Sequence, residues 1–407
     1  MVHSLPYLFS IPETEAALKQ SCRQQAIQSG PCAHSSYFRK AKTMKKRVAI
    51  IGGGFAGIEL AKSLEAHMDV TLIEQNTHFV HTPAMVRAVV QPKILERALI
   101  PYDSLLKQGS IIHGRAQSIE VTGVMLEHGE HVPADYIIVA TGSANATPFK
   151  PKENSIKALL DDHGEVHRQL KAARSVAIVG AGAVGTELAG EISHFMPGKQ
   201  VTLVSSAPTL FPDFPKRLGS NLEAKLKAIG VEVILGAMVE NLKSLNEPYS
   251  GTLKLSNGEQ VSADLIFPVI GSRARSELLE ALPGVEKSSA SRVKVDPWMR
   301  PSDLPNVFAV GDVADNGDPM TVIAINRQAP WLAKLLRAVS QGKKLEDQKA
   351  FAPDNKQMIL IPLGPKKGNS FLSLMTVGNF LTRLIKGKDL FLSKFNRALG
   401  REAPVNN

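Results

Sequence analysis

The residues best placed to do chemistry in this 407-residue chain lie in two glycine-rich turns, each between an apolar run and a helical one. Val48-Ala49-Ile50-Ile51 enters Gly52-Gly53-Gly54-Phe55-Ala56-Gly57, and Ile58-Glu59-Leu60-Ala61 follows. In this G-x-G-x-x-G spacing Gly52 makes the tight turn, Gly54 lets the backbone approach a pyrophosphate, and Gly57 lets helix and strand pack closely. The helix N-terminus then presents free N–H groups and a favourable dipole to the phosphates. A second run, Val70–Ile73, ends at Glu74, 22 residues after Gly52, where a carboxylate accepts hydrogen bonds from a ribose diol.

The other turn is Gly180-Ala181-Gly182-Ala183-Val184-Gly185, between Ser175–Val179 and Thr186–Ile192. Its following strand, Gln200–Val204, ends at Ser205 instead of a carboxylate, so a 2′-phosphate is not repelled there, and Lys216 or Arg217 could partner it. The choice between NADH and NADPH stays open. The two turns lie 128 residues apart and form an internal repeat. One nucleotide is then the hydride donor and the other the acceptor.

Two further strand ends separate an FAD site from a second plain NAD site. Tyr136–Val139 closes on Ala140-Thr141-Gly142-Ser143, and Asn306–Val310 closes on Gly311-Asp312. Asp312 at a strand C-terminus suits a ribityl hydroxyl or, through water, a phosphate. Val269-Ile270-Gly271-Ser272 marks the return crossing between the units, with Gly271 counted among the nucleotide-site residues.

With these motifs in this order, the chain resembles the two-dinucleotide-binding flavoproteins of the pyridine nucleotide-disulfide oxidoreductase superfamily. Its disulfide reductases carry a C-x4-C pair soon after the first ribose acid. Asn76–Arg87 contains no cysteine, and neither does any later residue. That argues against disulfide and sulfide:quinone reductases and for electrons passing directly from flavin to acceptor. Across residues 46–400 the chain resembles the ferroptosis-suppressor/AIF-like flavoproteins, relatives of type II NADH:quinone oxidoreductases. The specific part is Arg383-Leu384-Ile385-Lys386-Gly387-Lys388-Asp389-Leu390-Phe391, similar to that family's R-L-x-K-x-x-D-L-F segment. The resemblance implies that Lys386 lies near the isoalloxazine, that Phe391 lines the quinone entrance, and that Glu187 sits near the nicotinamide. It also implies that His81 and Arg87, in an F-x-H…R stretch, stand close to the flavin. The activity implied is NAD(P)H:quinone oxidoreduction with non-covalent FAD. Two alternatives are a reductase of a ferredoxin- or rubredoxin-type carrier and a nucleotide-gated DNA-binding flavoprotein. No nucleic-acid module supports the latter, which rests on charge alone.

The elements that must position these residues are β-turn-α units in an α/β fold. The reading is two Rossmann-like units, the NAD(P)H unit (146–273) inserted in the FAD unit (44–145 and 274–340). A small C-terminal α+β unit over 341–407 follows, with strands near Gln357–Leu363 and Phe371–Val377. A length of 407 residues suits two or three domains. No apolar stretch approaches the roughly 18 residues a spanning helix needs, which points to a cytoplasmic or peripheral protein. The net charge of +10 sits at the ends, with eight Lys/Arg against two acidic residues in each of 1–47 and 366–407. Helical spacing through Val377, Phe380, Leu381, Leu384 and Ile385, continued by Leu390, Phe391, Phe395 and Leu399, makes a basic amphipathic stretch. It is expected to dock on the FAD unit and turn its basic edge, 394–401, to anionic lipid. Cys22 and Cys32 are the only cysteines, so no disulfide framework or cysteine metal site is expected in the folded body. Residues 1–43 read as a disordered extension, a targeting segment, or translation begun ahead of Met44. Val2 stands where myristoylation needs glycine.

Overall fold

A computed structural model describes residues 44–151, 155–354 and 357–401. The expectations for residues 1–43, Cys22 and Cys32 included, lie outside the described residues. From Lys45 onward the chain is one unit.

Short runs of β-branched residues that are apolar on both faces suit strands in a parallel sheet covered on both sides. The first sheet has that form, in the order Val307–Ala309, Tyr136–Val139, Arg47–Ile51, Asp69–Glu74, Ser110–His113, with every pairing parallel. One face packs on the helices Phe55–Leu64 and Val322–Ser340 through Ile50, Leu60, Leu72, Phe308 and Leu332. The other is closed by Ala49, Ile51, Ile137 and Val139 against the three-stranded antiparallel sheet containing Val124 and Leu126.

The second sheet repeats the plan, in the order Val231–Ile234, Gln200–Val204, Ser175–Val179, Gln260–Pro268, Tyr249–Lys254, with only the last pair antiparallel. In both sheets the glycine-turn strand is central, and successive strands leave it on opposite sides. That is the topological switch point, where such sheets bind nucleotides beyond their carboxyl ends. Where the chain passes between the sheets, Ser143–Ala144 pairs antiparallel with Arg273–Ala274, so departure and return are tied together.

The C-terminal part differs from the sequence reading in two places. Its strands are Met358–Leu363, Lys367–Leu372 and Thr376–Val377. A strand across Phe371–Val377 is interrupted because Ser373 takes φ 62° and Leu374-Met375 forms an exposed turn. The expected continuous helical stripe is a short helix Asn379–Thr382, a π-helical turn Arg383–Gly387 and a helix Leu392–Ala398. It breaks at Leu390 and Phe391, whose φ values of 51° and 64° no α-helix holds. This small sheet lies against the second glycine-turn helix, Ala183–Phe195. A Cβ on Gly190 would stand 2.5 Å from Leu363 Cα, so glycine is what allows the approach. Among the described residues no helix is long and apolar enough to cross a membrane.

Candidate functional site

The two glycine turns have the same steric anatomy. A Cβ on Gly52 would fall 2.5 Å from Ala140 O, and one on Gly57 1.8 Å from Gly52 O. A Cβ on Gly180 would fall 2.3 Å from Val269 O, and one on Gly185 1.9 Å from Gly180 O. Contacts under 3 Å forbid any side chain, and Gly52 and Gly180 also carry φ of 104° and 109°. Gly54 and Gly182 are the opposite case, with no protein atom within 4 Å of a Cβ. Packing does not demand glycine at these two helix N-caps, and the open space leaves their backbone free for a ligand to approach. This fits pyrophosphate in both turns.

Around the first turn Glu74 accepts hydrogen bonds from Gly53 N–H at 2.6 Å and Asn76 N–H at 2.8 Å, which fixes its carboxylate beside the turn. Tyr102, absent from the sequence reading, is buried and donates its hydroxyl to Gly53 O at 2.7 Å. Ala56 is buried, and Phe55 packs edge-on to Phe79 and Phe395 with both centroid distances 5.0 Å.

The A-T-G-S and G-D turns meet. Ser143 donates to Asp312 Oδ2 at 2.5 Å, and Thr141 donates to Arg275 O at 2.7 Å. Lys150 donates to Ser143 O and Oγ and lies 3.8 Å from Asp312. Burial pulls its pKa down, with Asp312 opposing. Gly311 N–H is held by Gln328 Oε1 at 2.9 Å. Sequence reasoning missed both Lys150 and Gln328, since neither lies in a motif. Gly142 and Gly271, with φ of 69° and 63°, have open space where a Cβ would be. Ser205 is half-buried at the end of Gln200–Val204, its hydroxyl accepting from Ala207 N–H at 3.2 Å. Lys216 and Arg217 are exposed.

At the seam between the second glycine-turn helix and the C-terminal π turn, Lys386 donates to Glu187 Oε1 at 2.5 Å and to Leu360 O at 3.2 Å. Glu187 is 4% exposed. Burial raises its pKa, and the Lys386 charge opposes the rise. Arg87 is placed in the same seam, its guanidinium on Glu191 and Gly387 O. His81 is fully buried and its Nε2 donates to Leu390 O at 2.6 Å. Burial lowers its pKa to about 4, so the ring is neutral at physiological pH. It holds the carbonyl immediately before Phe391, which is half-buried. Glu187 and Lys386 thus touch directly, Arg87 joins them through Glu191 and Gly387, and His81 joins Phe391 through Leu390.

The tail's apolar stripe is docked toward its C-terminal end and largely exposed over 374–384. Leu392 and Leu399 are each 1% exposed, whereas Leu374 is 93%, Phe380 74%, Leu384 66% and Met375 61% exposed.

The family model for pyridine nucleotide-disulphide oxidoreductases matches residues 46–329, with a second match over 12–100, and the chain belongs to that family. Apoptosis-inducing factor homolog B of Dictyostelium discoideum is 33% identical over 89% of this chain and 98% of its own. Ferroptosis suppressor protein 1 of Homo sapiens is 29% identical over 88% and 96%. Among solved structures, the sulfide:quinone oxidoreductase of Aquifex aeolicus superposes with a TM-score of 0.70 at 18% identity, covering 88% of this chain and 93% of that one. The family uses FAD and NAD(P)H, and the two glycine turns fit two dinucleotides.

Proposed function

We propose that this pyridine nucleotide-disulphide oxidoreductase passes reducing equivalents from NAD(P)H to a quinone with no thiol in the relay. One observation carries the reading: two nucleotide cradles of matching anatomy stand in a body with no cysteine after Cys32. FAD, when bound, supplies two-electron chemistry that accepts a hydride and releases electrons to a quinone.

The protein's part is binding, alignment and charge. Gly52–Gly57, Glu74 and Asp312 would hold the flavin nucleotide, with Tyr102 and Gln328 bracing the turns that present them. Gly180–Gly185 and Ser205 hold the nicotinamide nucleotide. Glu187 fixes Lys386, whose ammonium would supply positive charge to the reduced flavin. His81 donates a hydrogen bond to Leu390 O and so orients the peptide before Phe391, the residue that would line the quinone entrance.

Quinones of membranes are lipid-soluble, and the exposed Leu374, Met375, Phe380 and Leu384 suit entry into a bilayer surface. Exposed Lys366, Lys367, Arg383 and Lys388 flank them in sequence and suit anionic headgroups. This moves the lipid face from the basic edge at 394–401 to the hairpin and short helix over 374–384.

Anaerobic mixing of NADH-reduced protein with a short-chain ubiquinone tests the reading. Flavin absorbance should return rapidly; a spectrum that stays bleached would rule the quinone out.

A further inference from the structure

Two buried ion pairs cross the seam between three segments of the chain. Glu187 and Glu191 stand one helical turn apart on Ala183–Phe195 and are 4% and 2% exposed. Glu187 takes Lys386. Glu191 takes Arg87, from the helix Thr82–Ala88, through two parallel hydrogen bonds of 2.9 and 2.8 Å. The same guanidinium donates to Gly387 O at 2.8 Å, and Gly387 is the residue after Lys386.

We propose that Arg87 and Glu191 are positioning residues for Lys386, holding the π turn that carries it at a fixed distance from Glu187. The proposal rests on the reading above that the Lys386 charge serves the flavin site. A guanidinium buried without a carboxylate is strongly destabilising, so Arg87 stays where Glu191 is. The planar fork accepts a carboxylate in one orientation, which also fixes where the remaining N–H points. That N–H points at the peptide of Gly387. The seat behind the peptide is tight, since a Cβ on Gly387 would lie 3.3 Å from Pro365 O. Arg87 therefore ties its own helix, Thr82–Ala88, to the nucleotide helix and to the turn that presents Lys386. A guanidinium engaged in this way is a brace between segments, distinct in role from a direct flavin ligand.

The test uses the full chain. Glu191→Gln keeps the side-chain size but turns an N–H toward the guanidinium, so the fork loses one acceptor. In the flavin-free protein, acylation of Lys386 by an amine reagent, read by mass spectrometry, should rise several-fold. Lys150 and Lys199, half-buried and bonded to other segments, should label as before and thereby exclude general loosening. In the FAD-loaded protein the rate of flavin reduction by NADH should fall by about tenfold, as a displaced charge predicts, with the NADH KM unchanged within about twofold. Glu191→Gln combined with Lys386→Gln should be no slower than Lys386→Gln alone. If Glu191→Gln does not fold, Arg87→Lys keeps the charge, loses the fork and should move the same readouts. Unchanged Lys386 labelling, or rate losses that multiply in the double variant, would overturn the proposal. Neither readout involves quinone, so a failed quinone assay leaves this result standing on its own.

Discussion

Replacing Lys386 by methionine keeps the side chain out to its fourth atom and deletes the cation that Glu187 touches. Burial already holds the Glu187 pKa above the ordinary carboxylate value, and Lys386 is the largest influence opposing it, so the variant's pKa climbs further. Two costs then compete. Keeping Glu187 charged and unpaired costs about 3–5 kcal/mol. Protonating it instead costs about 1.4 kcal/mol for each pH unit above the unfolded value near about 4.3, which is about 1 kcal/mol at pH 5 and about 5 kcal/mol at pH 8. The smaller cost governs, so the loss should grow from about 1 kcal/mol at pH 5 to a plateau of about 3–5 kcal/mol above pH 7. The sign follows from a folded pKa above the unfolded one: rising pH takes the proton from the unfolded chain first and favours unfolding. Urea denaturation of FAD-loaded wild type and variant across pH 5–8 measures the difference. Adding Glu187→Gln to Lys386→Met should remove most of its pH dependence. A difference that is flat with pH, or below about 1 kcal/mol at pH 8, would refute the claim that this pair is buried and coupled.

Gly182→Val places a side chain where no protein atom lies within 4 Å, so stability and FAD content should hold while the NAD(P)H KM rises at least about tenfold. Gly57→Ala, with its Cβ 1.8 Å from Gly52 O, should instead lose FAD and soluble yield together, read as the flavin-to-protein absorbance ratio. His81 is buried with a pKa of about 4, below its unfolded value near about 6.5. Its contribution to stability is complete above about pH 6.5 and is lost as pH falls toward about 4, by about 3 kcal/mol. His81→Asn should flatten that part of the urea-stability profile, and an unchanged acid limb would contradict the burial. Replacing Leu374, Phe380 and Leu384 by serine should reduce co-sedimentation with anionic liposomes more than neutralising Lys394, Arg397 and Arg401; the reverse order would restore the basic edge as the lipid face.

What could be read ahead of the structure was local. The glycine turns are legible because backbone sterics act between residues a few positions apart, and the strands because apolar runs of four or five leave little choice inside a covered sheet. The partners of those residues are set by packing across the chain. Lys386 and Glu187 are 199 residues apart, and Gly311 and Gln328 are 17 apart with no motif joining them. Glu191 left a faint signal, a second carboxylate one helical turn after Glu187. Nothing local said that Arg87 would spend its guanidinium on it. The tail was misread because helical periodicity of apolar residues does not register a break at Leu390 and Phe391, where both residues adopt left-handed backbone. The same periodicity cannot distinguish Leu392, which is buried, from Leu384, which is not.

The central claim is that electrons leave this protein for a quinone without a thiol. Steady-state oxidation of NADH and of NADPH by the FAD-loaded chain, with and without a short-chain ubiquinone, tests it most directly. The account predicts fast oxidation that depends on quinone and is untouched by thiol alkylation, and the two nucleotides are ranked in the same experiment. Nucleotide oxidation that quinone does not accelerate, or that alkylation abolishes, would contradict it.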